Sequence, residues 1–390
     1  RRQRQMCIRD RLEYAGLSFC LEKDRFADLD TSREALENHL IVRHTRVPFA
    51  ADNYREGAEF QSFSPQWLPA ALRQGEAQGP FNVPVPSEDI TEITIDQLLR
   101  FYRHPVRAFF QQRLNVHFDI EDVALPEEEP FSVDNLQRYG FNTRLLDALV
   151  DGEPEERVFR ILKAAGELPA GAFAQVYWEE QLQEMDVLAE KIRNARTESD
   201  IESFHYVTGP YTYSGQLTGV QENGLLRWRP AALTAADGLR LWIEHLTYSL
   251  SGRQQYSRMY GRGDTVWIFE PLTAEQAQGY LRPLLDVFVR GLNEPLPVFV
   301  KSGWAWLTTL ADENTGELSD DDALQHKAGL LLLQTLQGGY QFTGEAEDDY
   351  VVRAFRHFDE ALMDAIKQFS QQLFLPMFQH QKNRENEADA

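Results

Sequence analysis

Arginines and carboxylates, rather than the usual nucleophiles or zinc ligands, are the side chains here whose types could do chemistry. Arg100, Arg103, Arg107 and Arg113 form a local basic patch whose guanidinium groups could pair with phosphate oxygens. Asp134, Asp147 and Glu244 are carboxylates that a divalent cation could draw on, which would make the chain a Mg²⁺-dependent nuclease with unusual ligands. Other chemistries find no footing. A phosphate-cradling loop would end in Gly-Lys-Ser/Thr, and that pattern is absent. The nine histidines (His39, His44, His104, His117, His205, His245, His326, His357 and His380) show neither HxxxH nor HExxH spacing and read as core or surface residues. Cys7 and Cys20 are too few for a disulfide framework or a four-cysteine metal site. No Gly-x-Ser-x-Gly elbow presents a nucleophile.

The elements that must position these groups read as helices followed by strands. Thr31-Ser-Arg-Glu34 has capping-box spacing and starts a helix running to about His44. Val47–Pro86, rich in Pro, Gly, Ser and Gln, reads as an irregular connector, with a domain boundary near Ser87–Ile93. A second capping box, Thr94-Ile-Asp-Gln97, opens a helix that Pro105 breaks from a shorter one carrying Val106, Phe109 and Phe110. Apolar spacing then predicts helices at about Val133–Val150, Pro154–Ala165 and Phe173–Arg196. Tyr206–Val220 and Leu225–Arg229 read as strands joined at Gln221-Glu-Asn-Gly224, where Asn-Gly can supply the positive φ angles of a tight turn. A second hairpin is expected for Tyr256–Tyr260 and Thr265–Phe269. Further helices are expected at Gly238–Ser249, Ala274–Gly291, Asp321–Leu336 and Asp359–Phe374.

The bulk composition narrows the setting. With 390 residues, 43% hydrophobic and 12% aromatic, the chain can bury a real core and fill about two domains. Few cysteines and no apolar run near the ~20 residues of a membrane span suit a cytoplasmic protein. The net charge of -22 should repel DNA on average, so a free DNA binder is disfavoured and a protein-only scaffold is the reading it favours. The acidic residues cluster, however, at Pro126–Pro130, Asp151–Glu156, Asp320–Asp322 and Glu345–Asp349, which read as solvated loops or helix starts and leave basic residues free to concentrate elsewhere. The chain opens on Arg1 and reads as a fragment. Residues 1–11 are expected to be an artefactual extension resembling translated adapter sequence, or a disordered basic arm, and residues 381–390 a disordered polar tail.

Two strand segments carry a more specific resemblance. PD-(D/E)xK nucleases place an Asp on one hairpin strand and (Asp/Glu)-x-Lys on the next, so that two carboxylates hold Mg²⁺ and the Lys orients water. The nuclease domains of the RecB and AddB type read Gly-x-Ile-Asp-Arg-Ile/Val-Asp, then Asp-Tyr-Lys-Thr. The matching stretches here are Gly215-Gln-Leu-Thr218-Gly-Val220 and Leu226-Arg227-Trp228-Arg229-Pro230. The metal carboxylates then fall on Thr218 and Arg227, the Lys on Arg229, and the helical His near Leu146 or Asp147. A guanidinium does not ligate a cation. The bland alternative has Arg227 and Arg229 facing solvent beside Trp228.

Leu99–Phe110, with its His-Pro-Val-Arg-Ala-Phe-Phe, also resembles the C-terminal region of the RecC family, the gamma subunits of exodeoxyribonuclease V. So do Leu168–Phe173, Gly224–Pro230, Leu241–Leu246 and Phe374–Phe378. His104 stands where AddB-type relatives carry a cluster-binding Cys, so the resemblance implies no iron–sulfur cluster and no cofactor on this chain. Val42-Arg-His-Thr-Arg46 faintly resembles the helicase motif Val-Ala-Leu-Thr-Arg. The resemblance thus implies an α/β fold: an inactivated PD-(D/E)xK nuclease-like domain at 88–380, a small mixed sheet flanked by many helices, preceded at 12–87 by the tail of a degenerate helicase-like domain and connector. It further implies a non-catalytic subunit working with a RecB-like beta subunit and a RecD-like alpha subunit on DNA. Arg100, Arg103, Arg107, Arg113, Arg227, Trp228 and Arg229 are the DNA-binding candidates.

Overall fold

Among the described residues between Val47 and Leu72 the Pro- and Ser-containing connector forms single turns: 3-10 turns at Ala51–Tyr54 and Pro65–Trp67 and one helical turn, α1 (Leu68–Ala71). The computed structural model describes residues 44–57, 61–72, 89–118, 135–169, 171, 173–263, 265–312, 315–339 and 342–382. The expected Thr31–His44 helix (bar His44), residues 1–11, the Pro126–Pro130 loop and Asp134 lie outside them. The chain divides into two units, Arg1–Gly79 and Pro80–Ala390, and the second carries the sheet and the candidate site.

In that second unit a short strand, β1 (Glu92–Thr94), runs directly into α2 (Ile95–Arg103). The capping box is present: Gln97 N donates to Thr94 Oγ1 at 3.2 Å, and Thr94 N donates to Gln97 Oε1 at 2.9 Å. Pro105 breaks the helix as expected, and α3 (Pro105–Ala108) continues as a single π turn over Phe109–Arg113. The next three helices are α4 (Asn135–Val150), α5 (Glu155–Ala164) and α6 (Phe173–Ala195).

Three strands follow: β2 (Ser199–Thr208), β3 (Tyr211–Gln221) and β4 (Gly224–Arg229). The expected single strand Tyr206–Val220 is thus two, because the chain reverses at Gly209-Pro210, where Gly209 sits at φ +61. β2 pairs antiparallel along β3, while β1 and β4 pair with the start and end of β3, in parallel and antiparallel sense respectively. Helix α7 (Ala235–Leu250) then crosses over to β5 (Ser257–Gly261), which lies parallel to β4 and forms the second expected hairpin with β6 (Val266–Phe269). The result is a six-stranded mixed sheet.

Five helices follow among the described residues: α8 (Ala274–Asn293), α9 (Val300–Leu310), α10 (Asp322–Gln337), α11 (Asp349–Ala354) and α12 (Glu360–Gln379), with a two-stranded pairing of Gly338–Gly339 and Phe342–Thr343 between α10 and α11. The first two residues of the expected disordered tail are ordered, since Gln381 bridges to Phe269 and Lys382 N donates to Ile268 O at 2.9 Å. Residues 383–390 lie outside the described residues.

Alternation along β4 divides the core. Leu225 packs with α2, α7, α8 and the helices beyond them, whereas Leu226 packs on the other face with α4, α5 and α6. The sheet is therefore covered by helices on both faces.

Candidate functional site

The same alternation decides where the next three residues point. Arg227 and Arg229 share the Leu225 face and reach α7, while Trp228 shares the Leu226 face and reaches α4. Arg227 Nε donates to Glu244 Oε2 at 2.8 Å, with side chains only 15% and 4% exposed. Arg240, one turn before Glu244, approaches its other oxygen at 3.4 Å. Arg229 Nη1 lies 2.7 Å from both carboxylate oxygens of the buried Asp237. Burial opposes the Arg229 charge, but Asp237, as hydrogen-bond acceptor and opposite charge, with Tyr139 assisting, raises its pKa overall. The alternative in which both arginines face solvent is therefore corrected. A strand that continues the Leu225 face delivers them against helix carboxylates.

Asp237 has a second task, accepting the Thr234 backbone N–H and hydroxyl, each at 2.8 Å, which fixes the first turn of α7. The spacing Thr234-Ala-Ala-Asp237, just before the expected Gly238–Ser249 helix, is a capping-box signal by which the sequence singles out Asp237. Arg240 and Glu244 then follow at the i,i+4 interval.

Thr218 stands apart from the two arginine–carboxylate pairs, with no hydrogen bond to either among the described residues. Thr218 is exposed on β3, and its neighbour Gly219 sits at φ +64, where an added Cβ would come 2.3 Å from Arg227 Nη1. That glycine leaves room for the guanidinium to fold back and donate to Leu226 O at 3.1 Å. Across the sheet, Trp228 Nε1 donates to Asp147 at 3.3 Å and Arg196 lies 5.9 Å from its ring centroid. Asp147 and Glu244 thus lie on opposite faces of the sheet, each already engaged, and Asp134 lies outside the described residues. Among the described residues no three His, Cys, Asp or Glu side chains gather as a metal-holding group.

Part of the Arg patch does converge with the strand site. A cleft of about 530 Å³ beside α2 and α7 is lined by Arg100, Arg103, Arg229 and Arg240, together with Tyr139, Asp96 and Asp237. Arg100 and Arg103 are exposed, and among the described residues neither has an ion-pair partner. Arg107 instead binds Asp348 at 2.7 Å, and His104 approaches the same carboxylate at 3.3 Å. Burial works against ionised Asp348, but hydrogen bonds and charge from His104 and Arg107 outweigh it and hold the carboxyl well below the usual range. Arg113 ends the π turn after α3, outside this cleft. Sequence reasoning missed Arg240 and Tyr139, because residues on separate helices meet only through the fold.

The fold and site together define a mixed α/β domain with helices on both faces of its sheet and arginine-held carboxylates where strand meets helix. A family model described as the RecC C-terminal domain matches residues 90–311, more than half of the chain. The chain belongs to this RecC family. It is 40% identical over 371 residues to the RecBCD enzyme subunit RecC of Escherichia coli (strain K12), covering 95% of this chain and 33% of that protein. It is 25% identical over 369 residues to the RecBCD enzyme subunit RecC of Buchnera aphidicola subsp. Acyrthosiphon pisum, covering 95% and 34%. For Mycobacterium tuberculosis (strain ATCC 25618 / H37Rv) RecC the figures are 23% over 300 residues, 72% and 27%. The chain spans about a third of the length of the curated relatives it matches. Among the described residues no helix is long and apolar enough to cross a membrane.

Proposed function

We propose that this chain is the C-terminal, non-catalytic part of the gamma subunit of a RecBCD-type helicase–nuclease, handling DNA and docking partner subunits in the cytoplasm during double-strand break repair and recombination. In this reading residues 88–380 are an inactivated PD-(D/E)xK domain and residues 12–87 the tail of a helicase-like domain. The RecB-like beta and RecD-like alpha subunits carry the catalysis, and the whole gamma subunit splits the duplex, guides the strands and recognises Chi.

The observation that carries the proposal is the pairing of Arg227 with Glu244 and of Arg229 with Asp237. A metal-dependent nuclease needs free carboxylates around a divalent cation. Here the two α7 carboxylates facing β4 are neutralised by fixed cations that cannot leave as water does. Any Mg²⁺ approaching Glu244 would also meet Arg227 at close range, and at ~4 Å and an effective dielectric of ~20 each unit charge of repulsion costs about 4 kcal/mol.

The test incubates the chain with labelled single- and double-stranded DNA in Mg²⁺ or Mn²⁺, beside a variant carrying Asp134→Asn, Asp147→Asn and Glu244→Gln. No cleavage above the metal-free blank is expected from either sample. Metal-dependent cleavage by the chain that disappears in the variant would overturn the proposal in favour of a nuclease with unusual ligands.

A further inference from the structure

The chain has a net charge of -22, yet one cleft concentrates Arg100, Arg103, Arg229 and Arg240 against only Asp96 and Asp237. The pairing inside it is uneven. Asp237 is taken up by Arg229 at 2.7 Å and by Thr234, and Glu244 accepts more closely from Arg227 (2.8 Å) than from Arg240 (3.4 Å). Arg100 and Arg103, one turn apart on α2, keep their donors for something else: among the described residues neither makes an ion pair. On the cleft wall stands Tyr139, 39% exposed, with the Arg229 guanidinium 5.4 Å from its ring centroid. Unneutralised guanidiniums beside an exposed aromatic ring are the two components with which proteins hold a strand, one for the backbone and one for a base.

We propose that this cleft binds a single polynucleotide strand without a metal ion, its phosphates against Arg100, Arg103 and Arg240 and one base against Tyr139. The inference rests on the reading of the chain as a DNA-handling subunit and places that task at a site. A single strand fits better than a duplex because the ring lies in a concavity of about 530 Å³, in the size range of small-ligand pockets. A duplex keeps its bases stacked inside a convex surface and cannot offer one to a recessed tyrosine. Arg240 and Arg229 also place permanent positive charge beside the strand end where a nuclease would need a removable cation. Binding therefore persists when divalent ions are chelated.

The experiment measures anisotropy of a fluorescent oligothymidylate of about 20 nucleotides, a length above single-site requirements, with the 390-residue chain in low salt and EDTA. Four proteins are compared: the chain itself, Arg100→Glu/Arg103→Glu, Tyr139→Ala, and a charge-matched control, Arg157→Glu/Arg160→Glu, on exposed positions of α5 outside the cleft. Circular dichroism and thermal melts establish that each variant is folded. The cleft double variant should bind at least about tenfold more weakly and lower the salt slope by about 1.4, two phosphate contacts on a single strand. Tyr139→Ala should lose at least about fivefold with its slope unchanged. The α5 control should stay within about twofold of the chain.

Absence of binding by the chain, equal losses in the cleft and control variants, a requirement for Mg²⁺, or equal competition by a duplex of the same length would each overturn the inference. None of these outcomes involves cleavage. Metal-dependent cleavage with strand binding intact would instead overturn the non-catalytic reading alone.

Discussion

Replacing Arg227 by Met leaves an apolar side chain of similar length on β4 and strands Glu244 inside the domain. The size of the effect follows from the geometry. At 2.8 Å and an effective dielectric of ~20 the pair attracts by about 6 kcal/mol before desolvation is counted, and most of that offsets the cost of removing two charges from water. Removing one partner exposes the other's unmet cost, about 3–5 kcal/mol for a buried pair. Arg240 softens the loss because it already approaches Glu244 at 3.4 Å, although its own side chain is 60% exposed and well solvated. The expectation is therefore about 3 kcal/mol, near the lower bound, or roughly 5 °C in Tm for the Pro80–Ala390 unit. Glu244→Leu in the same background removes the stranded charge and should recover most of the loss, giving a coupling energy of at least about 2 kcal/mol in the double-mutant cycle. Urea unfolding followed by tryptophan fluorescence reads all four proteins. A loss below about 1 kcal/mol for Arg227→Met, or a coupling near zero, would refute the view that this pair locks strand to helix.

Two further outcomes follow from buried groups away from the cleft. His245 lies between the Ser257 hydroxyl at 2.8 Å and the Glu270 carbonyl at 2.9 Å, and burial pushes its pKa down to about 4, the carbonyl hydrogen bond opposing and His380 adding to the depression. Since the unfolded residue titrates near 6.5, the unfolded chain gains a proton first as pH falls. Stability is thus fullest above pH ~6.5 and declines towards pH ~4 by on the order of 3 kcal/mol from this residue. Urea midpoints at pH 7.5 and 4.5 should differ less for His245→Gln than for the parent, and an unchanged difference would count against the assignment. Gly224, at φ +129, could carry a Cβ only 1.9 Å from the Tyr256 carbonyl oxygen, so Gly224→Ala must open the start of the β4–β5 pairing. It should cost more than ~3 kcal/mol by chemical denaturation, against ~1 kcal/mol for Gly252→Ala at φ +82 in open space; equal costs would sink the argument.

Where local patterning decided structure, the sequence was legible. The Thr94 and Gln97 box, the Pro105 break and the period of α4 to α6 all rest on contacts within a few residues, and each appears where the spacing places it. Helix α9 was missed for the opposite reason. Its stretch Val300–Leu310 is rich in aromatic and β-branched residues, and its first turn is capped from far along the chain by Glu345, which accepts Lys301 N at 3.2 Å and Ser302 N at 2.8 Å. The hairpin at Glu222–Asn223 lies where Asn-Gly places it, and the positive φ expected of that pair holds for Gly224 but not for Asn223. Among the described residues the positive-φ non-glycine is Asn115, so Asn223 keeps an ordinary conformation and Gly224 supplies the unusual one. At the site, Thr218, Arg227 and Arg229 could be singled out from the sequence, but not what they meet. Asp237 and Glu244 come from the next helix, and Arg100 and Tyr139 from helices far earlier in the chain.

The acidity of the whole and the basicity of the cleft have a common explanation in where carboxylates are spent. Glu345 and Asp348 belong to one of the acidic clusters expected as solvated loops or helix starts, and they serve helix starts, capping α9 and α11, while Asp348 also binds Arg107. Asp237 and Glu244 are consumed in the same way by Arg229 and Arg227. A carboxylate that has met its charge inside the fold contributes little field at ~8–10 Å, the screening distance in salt, whereas an exposed arginine without a partner contributes fully. The formal charge of -22 is a sum over the whole chain that such pairing leaves unchanged, whereas what a strand would meet at α2 is set by the groups lining the cleft. There the carboxylates lining the cleft are Asp96 and the already paired Asp237, and the exposed cations are Arg100 and Arg103, with Arg240 shared with Glu244 at 3.4 Å. A chain that repels DNA on average can in this way present one attractive cleft, and repulsion from the remaining acidic surface would confine a strand to it rather than let it spread.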